Sequence, residues 1–294
     1  MNLMKYKVWY FVFSLLIILP GLYFLVTSGL KLGIDFTGGA LLEYKFEKKI
    51  NSPQLKQQIE SQGIIVGQIT PSANNVYIIR TKPAEQNKVA VLKNFLTAKF
   101  DKVEERRIEF VGPIIGSELQ QKAVTATVLA SVMIVLYIAY SFRKIPKPAS
   151  AWRFGISAVI ALVHDILVVV GAFAVLGKFL GVEIDTLFVT ALLTVIGFSV
   201  HDTIVVFDRI RENLGKNIGK KFIDVANLSV IQTLGRSLNT TLTVVFVLLA
   251  LLLFGGETLK WFVVALLVGI ISGTYSSIFN ATALLVWWEE KLSH

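Results

Sequence analysis

The stretch GFSVHDTIVVFDR, residues 197–209, closes an apolar run that begins at Leu187. About twenty such residues in a row cross the hydrocarbon core of a bilayer. Yet His201 and Asp202 lie inside it. An ionisable side chain costs at least about 2.5–3.5 kcal/mol there on insertion scales, so it faces a bundle interior and marks an ion or proton path. The same pair recurs as His164 and Asp165 in the apolar run Phe154–Leu176.

Four more runs have comparable length: Val8–Thr27, Ala123–Tyr140, Ser237–Phe254 and Phe262–Val286. Apolar residues make up 54% of the 294-residue chain, more than a soluble domain buries. The reading is six transmembrane helices. The first run exceeds the roughly 7–15 residues of a signal-peptide core and no A-x-A site follows, so it reads as an anchor.

The net charge of +9 follows the topology rather than a nucleic acid. Lys5 and Lys7 precede the first span. Arg143, Lys144, Lys147 and Arg153 share one short loop, and Arg209, Arg211, Lys216, Lys220 and Lys221 share another. The positive-inside rule assigns all three, with both termini, to the cytoplasm, and residues 31–115 to the outside. The chain has no cysteine, which excludes disulfides and thiolate metal sites.

Residues 31–115 form a polar insertion. Ala40–Glu47 is strand-like, Ser52-Pro53 opens a helix over Pro53–Gln62, and Ile64–Thr70 is β-branched. A turn at Pro71–Asn74 leads to a strand over Val76–Thr81. Ala84–Phe100 has helical spacing, and Arg106–Val111 alternates as a strand. This order, β-α-β-β-α-β, is the ferredoxin-like pattern. The expected fold class is therefore an all-α membrane bundle of six helices with an inserted α+β domain. The expected layout is a first span over 1–30, the outer domain over 31–115 and a five-helix bundle over 116–294. Cytoplasmic loops are expected at 141–153 and 208–235.

Within the membrane, Thr190, Thr194, Gly197 and His201 form one small and polar stripe. Ser157, Ala161, His164, Val168 and Gly171 form another. Such stripes suit close helix packing. On an ideal helix each aspartate is turned about 100° from its histidine, so neither pair is expected to act as a dyad. His164 and His201 read as helix contacts, with a relay role as the alternative. Asp165 and Asp202 read as ion-coupling carboxylates, and Thr203, Asn239 and Thr240 as relay or helix-packing residues. Arg236 is the expected charge partner of Asp202, on a helix face with Asn239, Thr240 and Thr243. Gly269, Gly273, Ser277 and Asn280 line the sixth span. Asp208, Arg209, Arg211 and Glu212 read as a solvated salt-bridge cluster. Residues 221–234 read as an amphipathic helix along the inner interface. Outside, Gly38-Gly39 after Asp35 reads as a turn into the first strand, or as a hinge or partner contact.

Several segments together resemble the SecF family of the resistance-nodulation-division superfamily. They are GIDFTGG (33–39), GPIIGSEL (112–119), HDIL (164–167), IGFSVHDTIVVFDRIREN (196–213), QTLGRSLNTTLT (232–243), LFGG (253–256) and GTYSSIF (273–279). The resemblance runs the length of the chain. It implies a multi-pass protein of the bacterial inner membrane that works with SecD and uses the proton gradient, or sodium in some relatives, to promote export of a preprotein. It implies as partners the channel subunits SecY, SecE and SecG, and YajC. By carry-over, Asp202 matches the family's membrane aspartate and Arg236 the arginine after QTL. Position 201 is often asparagine in the family and is histidine here. No cofactor and no metal are implied. The competing readings are an ion-driven exporter of lipids or small molecules and, more remotely, an intramembrane enzyme using the His-Asp pairs. Absence of HExxH, a nucleophile elbow and GxGD weighs against the enzyme.

Overall fold

A computed structural model describes residues 2–83, 86–143, 145–146 and 149–292. Lys144 and Lys147 of the first basic loop, and Ala84 at the predicted start of the second outer helix, lie outside the described residues. Two compact units emerge. One comprises residues 1–31, 126–182 and 187–294; the other comprises residues 32–125 and 183–186.

The second unit opens with one helical turn, α2 (Ile34–Thr37). It continues through β1 (Gly39–Phe46), α3 (Ser52–Glu60), β2 (Val66–Pro71), β3 (Val76–Thr81), α4 (Gln86–Phe100) and β4 (Val103–Val111). The strands form one antiparallel sheet in the order β2-β3-β1-β4. Alternation along β1 turns Ala40, Leu42, Tyr44 and Phe46 to one face, where each is at most 1% exposed. Leu55 and Ile59 of α3 and Val89, Leu92 and Leu96 of α4 close that core. β4 begins three residues before the predicted Arg106, because it pairs along the full length of β1, down to Phe46 opposite Val103.

Gly38 and Gly39 stand where backbones meet. Gly38 has φ +73° and a Cβ there would lie 2.9 Å from Pro113 Cα; Gly39 has φ +143° and a Cβ would collide with the Thr81 carbonyl. Only glycine accepts those angles without strain.

The membrane unit contains α1 (Lys7–Ser28), most of α5 (Pro113–Ser141), α6 (Ala151–Leu180), α7 (Thr186–Lys216), α8 (Phe222–Phe254), α9 (Glu257–Tyr275) and α10 (Thr282–Leu292). α9 and α10 join through a π-helical segment, Ser276–Ala281, and together form the sixth span. All six spans are long and apolar enough to cross a membrane. The third-span stripe packs as expected: Ser157, Ala161, Val168 and Gly171 are buried. Gly171 meets Gly21 of α1 backbone to backbone, since a Cβ on Gly21 would lie 2.7 Å from Gly171 Cα. Phe142, Phe154 and Phe207 pack ring against ring, with centroids 5.1–5.8 Å apart. Beside them Glu289, 7% exposed, pairs with Arg153 at 2.5 Å.

Two expectations change. The segment 208–235 is mostly helix: α7 runs on to Lys216, and α8 is continuous from Phe222, so residues 221–234 begin the fifth span itself rather than a separate interfacial helix. Asn213 donates to Ser229 Oγ and Gln232 Oε1 at 2.8 Å each. These bonds hold the first turns of α8 against the end of α7. The charged cluster there forms as expected, with Arg211 on Asp208 and Arg209 on Glu212, both at 2.5 Å.

Candidate functional site

α7 buries the face carrying Ala191, Val195, Ile196, Ser199, Asp202 and Thr203. α9 meets it with glycine. A Cβ on Gly269 would strike Val195, and one on Gly273 would lie 3.1 Å from Ser199 Cβ. This close approach sets the polar groups of the two helices against each other.

Asp202 is 2% exposed. Its Oδ2 accepts from Thr274 Oγ1 at 3.3 Å. That hydroxyl is also 2.7 Å from Thr241 Oγ1 of α8 and 3.0 Å from the Ile270 carbonyl. One shared hydroxyl is a thin partnership for a buried carboxylate, which can accept about four hydrogen bonds. Arg236 is exposed and forms no ion pair within 4.0 Å among the described residues, but lies near enough for its charge to act on Asp202 through space. The expected Asp202–Arg236 pairing is thus a proximity and not a contact. Asn239 and Thr240 are exposed on the same helix, and the Thr240 hydroxyl donates to the Arg236 carbonyl at 2.8 Å.

Thr203 packs against the sixth span, in line with the helix-packing side of its reading. Its Oγ1 is 2.7 Å from Ser277 Oγ, which donates to the Ser199 carbonyl at 2.9 Å. It joins helices and does not extend the Asp202 bonds.

Asp165 is fully buried and saturated. Oδ2 accepts from Ser199 at 2.5 Å and Ser276 at 2.7 Å; Oδ1 accepts from Ser272 at 3.1 Å and faces His164 Nδ1 at 3.0 Å. Here the sequence expectation fails. His164 and Asp165 do form a pair, with Nδ1 and Oδ1 within hydrogen-bond distance despite the 100° between successive residues. Serines 272 and 276, four apart, were a legible signal for a polar face. Ser199 lies three residues before Asp202 and was hidden in the apolar run.

The stripe on α7 lies at the surface of this chain. Thr190, Thr194, Gly197 and His201 are exposed, and a Cβ on Gly197 would meet nothing within 4 Å. α7 meets α9 through its opposite face. Among the pairs, His201 and Asp202 stay apart as expected, one outside and one inside.

In the second unit, Asp35 Oδ2 accepts from the Thr186 backbone N–H at 2.9 Å and its hydroxyl at 2.7 Å. Gly33 N–H donates to the Ile184 carbonyl at 2.8 Å, and Arg80 pairs with Glu183 at 3.3 Å. Asp35 therefore binds the first residue of α7, inside its own chain.

Residues 91–291, which hold both membrane aspartates and Arg236, match the family described as protein export membrane protein SecD/SecF, C-terminal. Residues 23–50, which hold Asp35, Gly38 and Gly39, match the SecD/SecF GG motif. The protein translocase subunit SecF of Thermobaculum terrenum is 48% identical, with 99% of this chain and 94% of the relative covered. The chain belongs to the SecF family. A second SecF subunit, from Anaerolinea thermophila, is 42% identical over 98% of this chain and 94% of its own length. The crystal structure of SecDF from Thermus thermophilus, a translocon-associated membrane protein, superposes with a TM-score of 0.86 at 32% identity. It covers 99% of this chain, which spans 39% of that longer chain. A SecDF structure in a super-membrane-facing form matches with a TM-score of 0.72, also at 32% identity, over 100% of this chain and 39% of its own. This SecF-family chain is an integral membrane protein of the protein-export machinery.

Proposed function

We propose that this chain is the SecF half of an ion-driven export motor, joined in the bacterial inner membrane by SecD, with both of its termini in the cytoplasm. Asp202 is the coupling carboxylate. The observation that carries this reading is its isolation: it is buried, holds one shared hydroxyl, and has an arginine in reach but not in contact. A carboxylate so placed is stable neither fully charged nor far from a cation, and its state follows the arrangement of the groups around it. Asp165 supports the same path one helix away. The exposed face of α7, from Thr190 to His201, is the surface that SecD covers, and Arg236, Asn239 and Thr240 border it. The partners of the assembled motor are the channel subunits SecY, SecE and SecG, YajC and the translocating preprotein. The outer domain acts on the preprotein beyond the membrane, with Asp35, Gly38 and Gly39 as the hinge at its base.

The test is gradient-dependent export in membrane vesicles. Asp202→Asn should insert and co-purify with SecD, and lose stimulation by the ion gradient. Normal stimulation in that variant would remove Asp202 from the coupling role.

A further inference from the structure

Leu3–Tyr6 form a 3-10 turn ahead of α1. The opening N–H groups of a helical turn find no partner within it. Here the Leu3 and Met4 N–H groups both donate to Asn227 Oδ1 of α8, at 2.7 and 3.4 Å. The Tyr10 hydroxyl donates to the Leu3 carbonyl at 2.9 Å, and the Tyr275 hydroxyl donates to the Tyr10 carbonyl at 2.8 Å. Met4 is 0% exposed, whereas α1 buries only Ser14 and Gly21. The first residues of a chain are poorly ordered unless something ties them down. A buried methionine between two satisfied N–H groups is such a tie.

Asn227 stands nine residues before Arg236 on one unbroken helix. At 100° per residue the two side chains leave α8 about 180° apart. Ser229 and Gln232 lie within about 40° of Arg236. Both accept from Asn213 of α7, and Gln232 also accepts from Arg209 Nε at 2.7 Å. So α8 is gripped on the Arg236 face by the helix that carries Asp202, and on the opposite face by the N-terminal turn. The two grips act differently. The bonds to α7 draw the helices together. The turn behind α8 opposes a tilt or roll that would carry Arg236 away from α7. That turn has its own anchors: Lys7, the first residue of α1, pairs with Glu290 of α10, and Asn280 of the sixth span donates to Ser14.

We propose that Asn227 is a positioning residue for the ion-coupled step. By capping the N-terminal turn it backs α8 and keeps Arg236 in reach of Asp202. The proposal rests on the coupling role given above to Asp202 and Arg236.

The test measures export in membrane vesicles with and without an ion gradient, alongside the unfolding midpoint of the purified full-length chain. Asn227→Ala deprives two N–H groups of their acceptor. A net hydrogen bond shifts an equilibrium by about two- to tenfold. Stimulation at a fixed gradient should fall by that factor, with gradient-independent export unchanged. Asn227→Asp keeps an oxygen in the same place and should restore stimulation to the wild-type level. Tyr10→Phe removes the hydroxyl from the Leu3 carbonyl but keeps the ring beside Phe279, and should cause a smaller loss in the same direction. Wild-type stimulation in Asn227→Ala overturns the proposal, as does an equal loss in Asn227→Asp. A fall of the midpoint and of both kinds of export together marks a merely structural contact and overturns it too. Should Asn227→Ala fail to insert, full stimulation in Tyr10→Phe has the same force. Asp202→Asn, run in parallel, separates the two readings. Normal stimulation in it removes the coupling role itself. Its loss beside a normal Asn227→Ala overturns the positioning role alone.

Discussion

Asp202 Oδ2 stands 3.3 Å from Thr274 Oγ1, and that hydroxyl is divided between the carboxylate and two other oxygens. The carboxylate of Asp165 has four polar neighbours of its own. Two aspartates with the same sequence signature, a preceding histidine in an apolar run, thus sit in opposite electrostatic conditions. Asp165 is held in place from three spans. Asp202 is held loosely and can respond to a moving charge.

In the proposed coupling Arg236 is the charge that moves. It carries no ion pair among the described residues, so its substitution breaks no salt bridge in this arrangement. Arg236→Ala should therefore insert and fold normally, and should lose gradient-dependent stimulation as Asp202→Asn does. Export in vesicles with and without a gradient measures this. Wild-type stimulation would show that Asp202 works without it.

Two glycines in the bundle predict opposite outcomes. Gly21 faces Gly171 at backbone distance. Gly21→Leu should overpack the α1–α6 contact and cost about 1–3 kcal/mol, lowering the unfolding midpoint of the chain alone. Gly197 faces open space. Gly197→Leu should leave that midpoint nearly unchanged and reduce co-purification with SecD, because the added side chain stands on the face proposed for the partner. Full recovery of SecD would place the partner on another face.

Asp35 caps the first turn of α7 through the Thr186 N–H and hydroxyl. Loss of such a cap costs about 1 kcal/mol. Asp35→Ala should lower the unfolding midpoint by that equivalent, with Asp35→Asn intermediate, because an amide oxygen still accepts but carries no charge toward the helix N-terminus. An unchanged midpoint in Asp35→Ala would mean that water replaces the cap at no cost.

Tyr44 gives the outer domain an alkaline limit. Its side chain is fully buried and its hydroxyl has no partner. Burial, and secondarily the charge of Glu105, push its pKa up to about 12 from 10.0. The folded state therefore holds the phenolic proton more tightly than the unfolded chain. Stability from this group is intact below pH 10 and falls as pH rises from about 10 to 12. Tyr44→Phe removes an unpaired polar group and should flatten that decline without loss of stability at neutral pH. Unfolding midpoints of wild type and variant across that range decide it.

The six spans, the order of strands and helices in the outer domain, and the burial of both aspartates were all legible in the chain. Each rests on local information: run length, period and turn residues. The serine cage was not, because Ser199, Ser272 and Ser276 stand 34 to 111 positions from Asp165. Nor does a serine in an apolar run announce which neighbour its hydroxyl meets. The continuity of α8 escaped for a different reason. Composition changes from polar to apolar near Leu234, but helical hydrogen bonds do not depend on that change.

By itself the sequence determined that this chain crosses a membrane six times and that its buried carboxylates need partners, since the cost of a charge in hydrocarbon depends on the residue and its depth. Only the tertiary structure decided which partners they have. Glycine at Gly269 and Gly273 lets the sixth span come close enough to α7 to surround Asp165 with hydroxyls and leave Asp202 with one. The same choice of face turned His201 outward. A stripe of small residues states that something can approach closely; which helix does so is settled by the packing of the whole bundle.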